Sequence, residues 1–314
     1  YLFDIEDPLN PADLGEWYSE KEYWMIHKQG GWMILKDFEE YSLEIYDITN
    51  LETPILINSL PLDNYDYYST YCFIDKSDSI SFYLCNYQTN MLWKFNISEQ
   101  GEPVELFEYE LPSTPEGLTI INSLAYITVG QYPYELLVID GLEENEPYIV
   151  NEIINFSENK YLDNQDGYIV SNGSTYNVGQ IFQLDNPFQP ELYFTPLWGN
   201  RIEIKNDLIF AKTNHIIGVY ENRLNCTEPM AVFNGLNYIY NINLIEHEGT
   251  NYLITNEMAN IGLFEYNYVP SSVEDELLKP EFTLSNPPNP FNPETTISFS
   301  VTQNSDFVNL EIFN

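Results

Sequence analysis

The sequence is poor in positive charge. Its 314 residues carry 11 Lys+Arg against 49 Asp+Glu, a formal net charge of −38, and only Arg201 and Arg223 are arginine. Nucleic acid is held by clustered Lys and Arg that neutralise phosphates, so this balance excludes it as a partner. The same shortage argues against docking on anionic lipid headgroups. No apolar run of about 18 residues occurs, so no membrane span is expected. Three cysteines are too few for a disulfide scaffold. The three histidines, His27, His215 and His247, lack metal-ligand spacing, and each reads as lying in or beside a hairpin. No metal site and no cofactor is expected. Gly-x-Ser-x-Gly, His-Glu-x-x-His and phosphate-binding glycine loops are all missing, so no catalytic residue is assigned. Asp163-Asn164-Gln165-Asp166-Gly167 hints at a calcium loop, but it falls where the repeat described below has a hairpin turn.

What is present is apolar and aromatic. Hydrophobic residues make up 44% of the chain, with 26 Tyr and 18 Phe, which supplies a core and excludes disorder by composition. One motif recurs: a short apolar strand, an acidic or amide residue, then a proline. It reads Leu2-Phe3-Asp4 to Pro11, Leu43-Glu44-Ile45-Tyr46-Asp47 to Pro54, and Leu92-Trp93-Lys94-Phe95-Asn96 to Pro103. It continues as Leu136-Leu137-Val138-Ile139-Asp140 to Pro147 and Gln180-Ile181-Phe182-Gln183 to Pro190. Polar residue and proline are seven apart in all five. Looser copies end at Glu221 and Glu265, with Pro229 and Pro270. Successive copies are 43, 49, 44, 43, 38 and 44 residues apart.

Between the copies lies a second unit of two apolar strands joined by a tight turn. The turns are Lys28-Gln29-Gly30-Gly31, Lys76-Ser77-Asp78-Ser79, Asn122-Ser123, Asn164-Gln165-Asp166-Gly167, Lys205-Asn206-Asp207 and Glu246-His247-Glu248-Gly249. Gly, Asn and Asp supply the positive φ that such turns need. Four short strands per roughly 43 residues is the period of a β-propeller blade. Strands A and B form the hairpin, C ends at the polar residue, and D starts near the proline. Strand C is often apolar on both faces, as a strand covered on both sides should be. An Asp or Asn after it suits an Asx turn. Proline, with no N–H to give, belongs at the start of the outer strand D.

These residues resemble the LVIVD-repeat family of β-propellers. Leu137-Val138-Ile139-Asp140 is nearly the family signature, and Leu43–Asn50 with Pro54 matches its longer consensus. The turn motif would be carried by Asp4, Asp47, Asn96 and Asp140, and Gln183, Glu221 and Glu265 depart from it. The resemblance implies an all-β propeller over residues 1–268. Seven C strands but six A–B hairpins can be read, so seven blades are expected, with six and eight open.

The C-terminal segment reads differently. Residues 269–283 mix Pro, Ser and acids, as a linker does. A proline run follows, Pro287, Pro288, Asn289, Pro290, Phe291, Asn292 and Pro293, and then alternating Thr296–Val301 and a strand over Phe307–Phe313. These residues resemble the start of the type IX secretion (Por) C-terminal sorting domain, an immunoglobulin-like β-sandwich related to the FlgD Ig-like domain. The resemblance implies a truncated Ig-like segment over 284–314. It also implies type IX secretion machinery as a partner and a bacterial, secreted or cell-surface destination through outer-membrane export. Both ends fall mid-strand, so the chain reads as a fragment.

In a propeller the D–A and B–C loops share one face. Here that face would carry Tyr65, Tyr67, Tyr68, Tyr87, Tyr132, Tyr134, Trp198, Tyr238 and Tyr240. Tyr, Trp and Asn are residues of adaptable polar recognition, so the face is a candidate for glycan, peptide or protein binding; ordinary solvated loops are the alternative. Cys72 and Cys85 would lie opposite one another if the turn centres between Asp78 and Ser79, as a disulfide or as two small core residues. The function expected is a binding or structural scaffold. A propeller hydrolase or lyase using channel-mouth carboxylates and a passive surface-layer component are the alternatives.

Overall fold

The computed structural model describes residues 2–4, 12–15, 23–29, 31–37, 42–50, 53–61, 70–74, 81–97, 102–130, 134–156, 159–165, 167–173, 179–196, 199–205, 207–222, 226, 228–234, 238–257, 261–269, 281–285, 298–300 and 309–310. All of the regular structure in them is strand. Turn chemistry sets the pattern. Asn122 and Ser123 both have positive φ (49° and 64°), as do Glu248 and Gly249 (49° and 76°). That is what two-residue type I′ hairpins demand, and each joins the first two strands of a sheet.

The strands form seven small sheets among the described residues. The first pairs β1 (Leu2–Asp4) with β2 (Ala12–Gly15). The second holds β3 (Tyr23–Gln29), β4 (Trp32–Asp37), β5 (Ser42–Asp47) and β6 (Ile55–Pro61). The third holds β7 (Thr70–Ile74), β8 (Ser81–Asn86), β9 (Met91–Ile97) and β10 (Pro103–Glu110). The fourth holds β11 (Pro115–Ile121), β12 (Leu124–Val129), β13 (Tyr134–Asp140) and β14 (Tyr148–Phe156). The fifth holds β15 (Asn159–Gln165), β16 (Tyr168–Gly173), β17 (Gln180–Gln183) and β18 (Glu191–Phe194). The sixth holds β19 (Arg201–Lys205), β20 (Leu208–Lys212), β21 (Ile216–Glu221) and β22 (Ala231–Asn234). The seventh holds β23 (Ile239–His247), β24 (Thr250–Glu257), β25 (Ile261–Val269) and β26 (Glu281–Ser285). In each four-strand set, spatial order follows chain order.

The recurring motif falls on one strand of every sheet: β1, β5, β9, β13, β17, β21 and β25. The strand after it begins at or just past the motif proline in the first six copies, at Ala12, Ile55, Pro103, Tyr148, Glu191 and Ala231. Proline cannot donate to a ladder, so it is tolerated where a strand starts. Asp47 builds an Asx turn: its Oδ1 accepts from Thr49 N and from Thr49 Oγ1, both at 2.8 Å. Asp140 Oδ1 accepts instead from the adjacent Gly141 N at 2.7 Å, and its Oδ2 accepts from Tyr148 Oη at 3.3 Å. Asn96 Oδ1 is buried without a hydrogen-bond partner among the described residues.

The chain divides into two compact units. One comprises Gly15–Asn164 with Gln183–Glu191, and the other Leu2–Leu14, Gln165–Phe182 and Leu192–Asn314. Within the first, the initial strands adjoin from sheet to sheet, β3 with β7 and β7 with β11. Faces of neighbouring sheets pack together: Ile34, Leu43 and Ile45 meet Phe82, Leu84 and Phe95, while Tyr83, Cys85 and Leu92 meet Leu118, Ile127 and Leu137. Leu136, Leu137, Val138 and Ile139 are all fully buried, so β13 is covered on both faces. Lys94, on β9, is buried too; its Nζ donates to Leu142 O at 2.9 Å and lies 5.7 Å from the Tyr83 ring centroid. In the second unit β19 adjoins β23, and Phe210, Ile217 and Val219 pack against Ile242, Leu253 and Tyr266.

One expectation meets a different register. Tyr71, not Cys72, stands opposite Cys85, and Cys72 pairs with Leu84. A shift of one position exchanges the faces of a strand. Cys85 is buried, and in this register it and Cys72 are not cross-strand partners. In the tail, β26 pairs antiparallel with β25, matching Val269 to Glu281. Two further short strands follow: β27 (Ser298–Ser300) pairs with β26, and β28 (Asn309–Leu310) lies parallel to β22. Residues 287–293 lie outside the described residues.

Candidate functional site

Of the nine aromatic loop residues, Tyr87, Tyr134 and Tyr238 are described with their surroundings; Tyr65, Tyr67, Tyr68, Tyr132, Trp198 and the side chain of Tyr240 lie outside the described residues. Tyr87 stands in the turn between β8 and β9, where Asn86 Oδ1 accepts from Gln88 N (2.8 Å) and Thr89 N (2.9 Å). Tyr134 opens β13 and is half-buried. These two belong to different sheets.

Tyr238 has the richest surroundings of the three. His215 meets it edge-on, with ring centroids 5.7 Å apart and an interplanar angle of 86°. Lys212 Nζ lies 6.0 Å from its ring centroid. His215 stands in the B–C turn, just past the end of the β19–β20 hairpin. That turn is tight: Thr213 N donates to Ile216 O at 2.7 Å. Its Asn214 O accepts from Ile239 N at 2.7 Å, which fixes the start of β23, and Tyr238 with it, against the turn.

Lys212 ends β20 and is paired in register with Arg201 at the start of β19. Only 5% of Lys212 is exposed. Burial, and then the positive charge of Arg201, push its ammonium down to about 8. Arg201 keeps one carboxylate near, with Nε 3.6 Å from Glu203 Oε1. The approach to Arg201 is fixed by backbone. Asn200 N donates to Lys212 O at 2.8 Å, and Gly199, at φ +120°, accepts from Gly179 N at 2.8 Å. A Cβ on Gly199 would meet Ala211 Cβ at 2.8 Å, so only glycine lets the two strands close here. From the neighbouring β16, Asn172 Oδ1 accepts from Ile202 N at 2.7 Å.

Arg201, Lys212, Asn172 and His215 were not among the sequence candidates. The signal for the first two was available: positions equidistant from the Asn206-Asp207 turn must pair, and 201 and 212 are such positions. Asn172 had no local signal, because its partner is 30 residues away. Among the described residues no group of three or more His, Cys, Asp or Glu is arranged to hold a metal ion. No helix there is long and apolar enough to cross a membrane.

No family model matches the chain, and no curated protein matches it. Solved structures do. A functionally unknown protein from Desulfotomaculum acetoxidans DSM 771 superposes with TM-score 0.57 at 16% identity, covering 76% of each chain. A Kluyveromyces lactis Hsv2 structure gives 0.53 at 11% identity, covering 79% of this chain and 81% of that one. A Lactobacillus plantarum protein gives 0.50 at 8% identity, covering 65% and 71%. At these identities the likeness concerns fold alone. The chain has an all-β, propeller-like fold of small antiparallel sheets.

Proposed function

We propose that the chain is an exported β-propeller of seven blades, related to the LVIVD repeats, that binds a ligand on the face formed by its D–A and B–C loops. The observation that carries the binding role is the grouping of Tyr238 with His215 and Lys212, brought together from a D–A loop, a B–C turn and the end of a B strand. An aromatic ring beside a buried cation, in an otherwise acidic chain, suits selective polar recognition better than bulk solvation does. The seven-blade reading draws support from seven copies of one motif on seven consecutive sheets. Export rests on the Pro287–Pro293 run, which resembles the opening of a type IX sorting domain.

A glycan and matrix-protein array tests the binding role. The chain is expected to retain a restricted set of ligands, and Tyr238→Ala to lose them while keeping its melting temperature. Equal retention by Tyr238→Ala would refute the assignment. Fractionation of the cells that make the protein tests export: it is expected outside the outer membrane, and retention in the cytoplasm would contradict this reading.

A further inference from the structure

The D strand of a sheet stands at one edge, and an edge presents a row of backbone donors and acceptors to any strand that can reach it. In two sheets the chain itself supplies that strand. β28 lies parallel to β22, matching Val232 to Asn309 and Phe233 to Leu310, and β27 lies antiparallel to β26, matching Thr283 to Ser300. The other D strands differ in how they are guarded. Natural edge strands avoid unwanted pairing with charge, proline or a bulge. β2 carries Asp13, β14 carries Glu152 and β18 carries Glu191. β10 sets Glu105 between its exposed Val104 and Leu106. β22 has no charged residue, and β28 covers it. β6 has no charged residue either, and among the described residues no strand lies beyond it. Its guards sit toward its far end: Ile57 is the extra residue of a bulge, Asn58 Oδ1 accepts from Ser59 N at 2.7 Å, and Pro61 has no N–H to offer. Ahead of them, Ile55 and Leu56 are 59% and 48% exposed. Successive side chains of a strand point to opposite faces, so this stretch offers one apolar side chain on each face of the sheet.

We infer that the edge of β6 at Ile55 and Leu56 takes an added strand from an extended peptide segment of a partner, apolar at its centre and basic at its ends. Main-chain hydrogen bonds hold the segment, and its apolar side chains pack on Ile55 and Leu56. The basic ends follow from charge: a net −38 attracts a cationic segment and sets a second copy of the chain against itself at the seam. The β22–β28 ladder, two residue pairs long, shows how short an added strand can be in this fold. The inference stands apart from the loop face, because it concerns the edge of a sheet.

The test is fluorescence anisotropy of the 314-residue chain with a dye-labelled peptide, Lys-Lys-Val-Thr-Val-Thr-Val-Lys-Lys, and with the same peptide carrying proline at both threonines. The two have equal charge, but proline lacks the N–H that a ladder needs. The first is expected to bind, and the second to bind more weakly by about tenfold or more. Ile55→Ser/Leu56→Ser changes exposed positions and should keep its melting temperature, yet it is expected to lose about tenfold in affinity for the first peptide. The amides of β6 should exchange more slowly with that peptide bound. Equal affinity for the two peptides would mean attraction by net charge alone and overturns the inference, as does absence of binding or equal binding by the double variant. Sedimentation supplies a last arm: dimerisation at rising concentration that the double variant abolishes would give the edge to a second copy and overturn the inference too.

Discussion

Single side chains decide how this protein answers to pH. Lys212 ionises at about 8 when folded against 10.5 as an ordinary lysine, mainly because burial penalises its charge. The cost of holding it protonated is full below about 8 and is relieved as pH rises toward 10.5, because there the unfolded chain binds the extra proton. Urea melts should therefore show stability rising from about pH 8 to 10, a rise that Lys212→Met abolishes; an unchanged slope in the variant would refute the cause. Tyr126, Tyr193 and Tyr266, each pushed up to about 12 chiefly by burial, act in the other direction. Their contribution is complete below pH 10 and is lost above it, which caps the alkaline gain. At the acid end, the Asx turn holds Asp47 below its usual value through Thr49 N and then Thr49 Oγ1. Its contribution is present above the usual value of 3.8 and disappears as pH falls through the lower folded value. The stability gap between wild type and Asp47→Asn should thus close on acidification. Gly141 is a backbone counterpart: at φ +78° its missing Cβ leaves room for Glu146 O, which accepts no side chain so close. Gly141→Ala should cost about 1–3 kcal/mol in the same melts.

At the level of the element, the centre of the motif strand β13 is covered on both faces, as are the hairpin strands β11 and β12 beside it. Leu137 is fully buried among Cys85, Leu118 and Ile127, so Leu137→Ala should cost about 2–5 kcal/mol, measurable as a lower urea midpoint at unchanged slope. Alternation, positive-φ turns and the proline rule are local, which is why turns such as Asn122-Ser123 and strands such as Leu136–Asp140 could be read from the sequence. Register is a finer matter. The Cys72–Cys85 expectation failed because the true pairing axis of β7 and β8 lies half a residue away, and half a residue exchanges every partner. Cys85 should accordingly resist a thiol reagent in the native state and react fully on unfolding; a protected thiol after unfolding would contradict the register. The Lys212–Arg201 pair was open to the same reasoning and was missed, because charges of like sign are not an obvious thing to seek across a hairpin. Asn172, which holds Ile202 N from another sheet, is legible only in three dimensions.

For the whole molecule, the proposed propeller requires one template copied into consecutive sheets and arranged about a common axis. Adjoining first strands within each unit, and cores built between sheet faces, are what radial stacking produces. The sequence period of roughly 43 residues already pointed to a series of small antiparallel sheets, whereas the proposed binding site did not show in it, since ligand sites in propellers are assembled from loops distant in sequence. The most direct measurement is a crystal structure of the chain. The account predicts that successive sheets superpose by rotations of about 51° around a single axis, a seventh of a turn each. Sheets related by translation, or stacked in two facing layers without a shared axis, would contradict it.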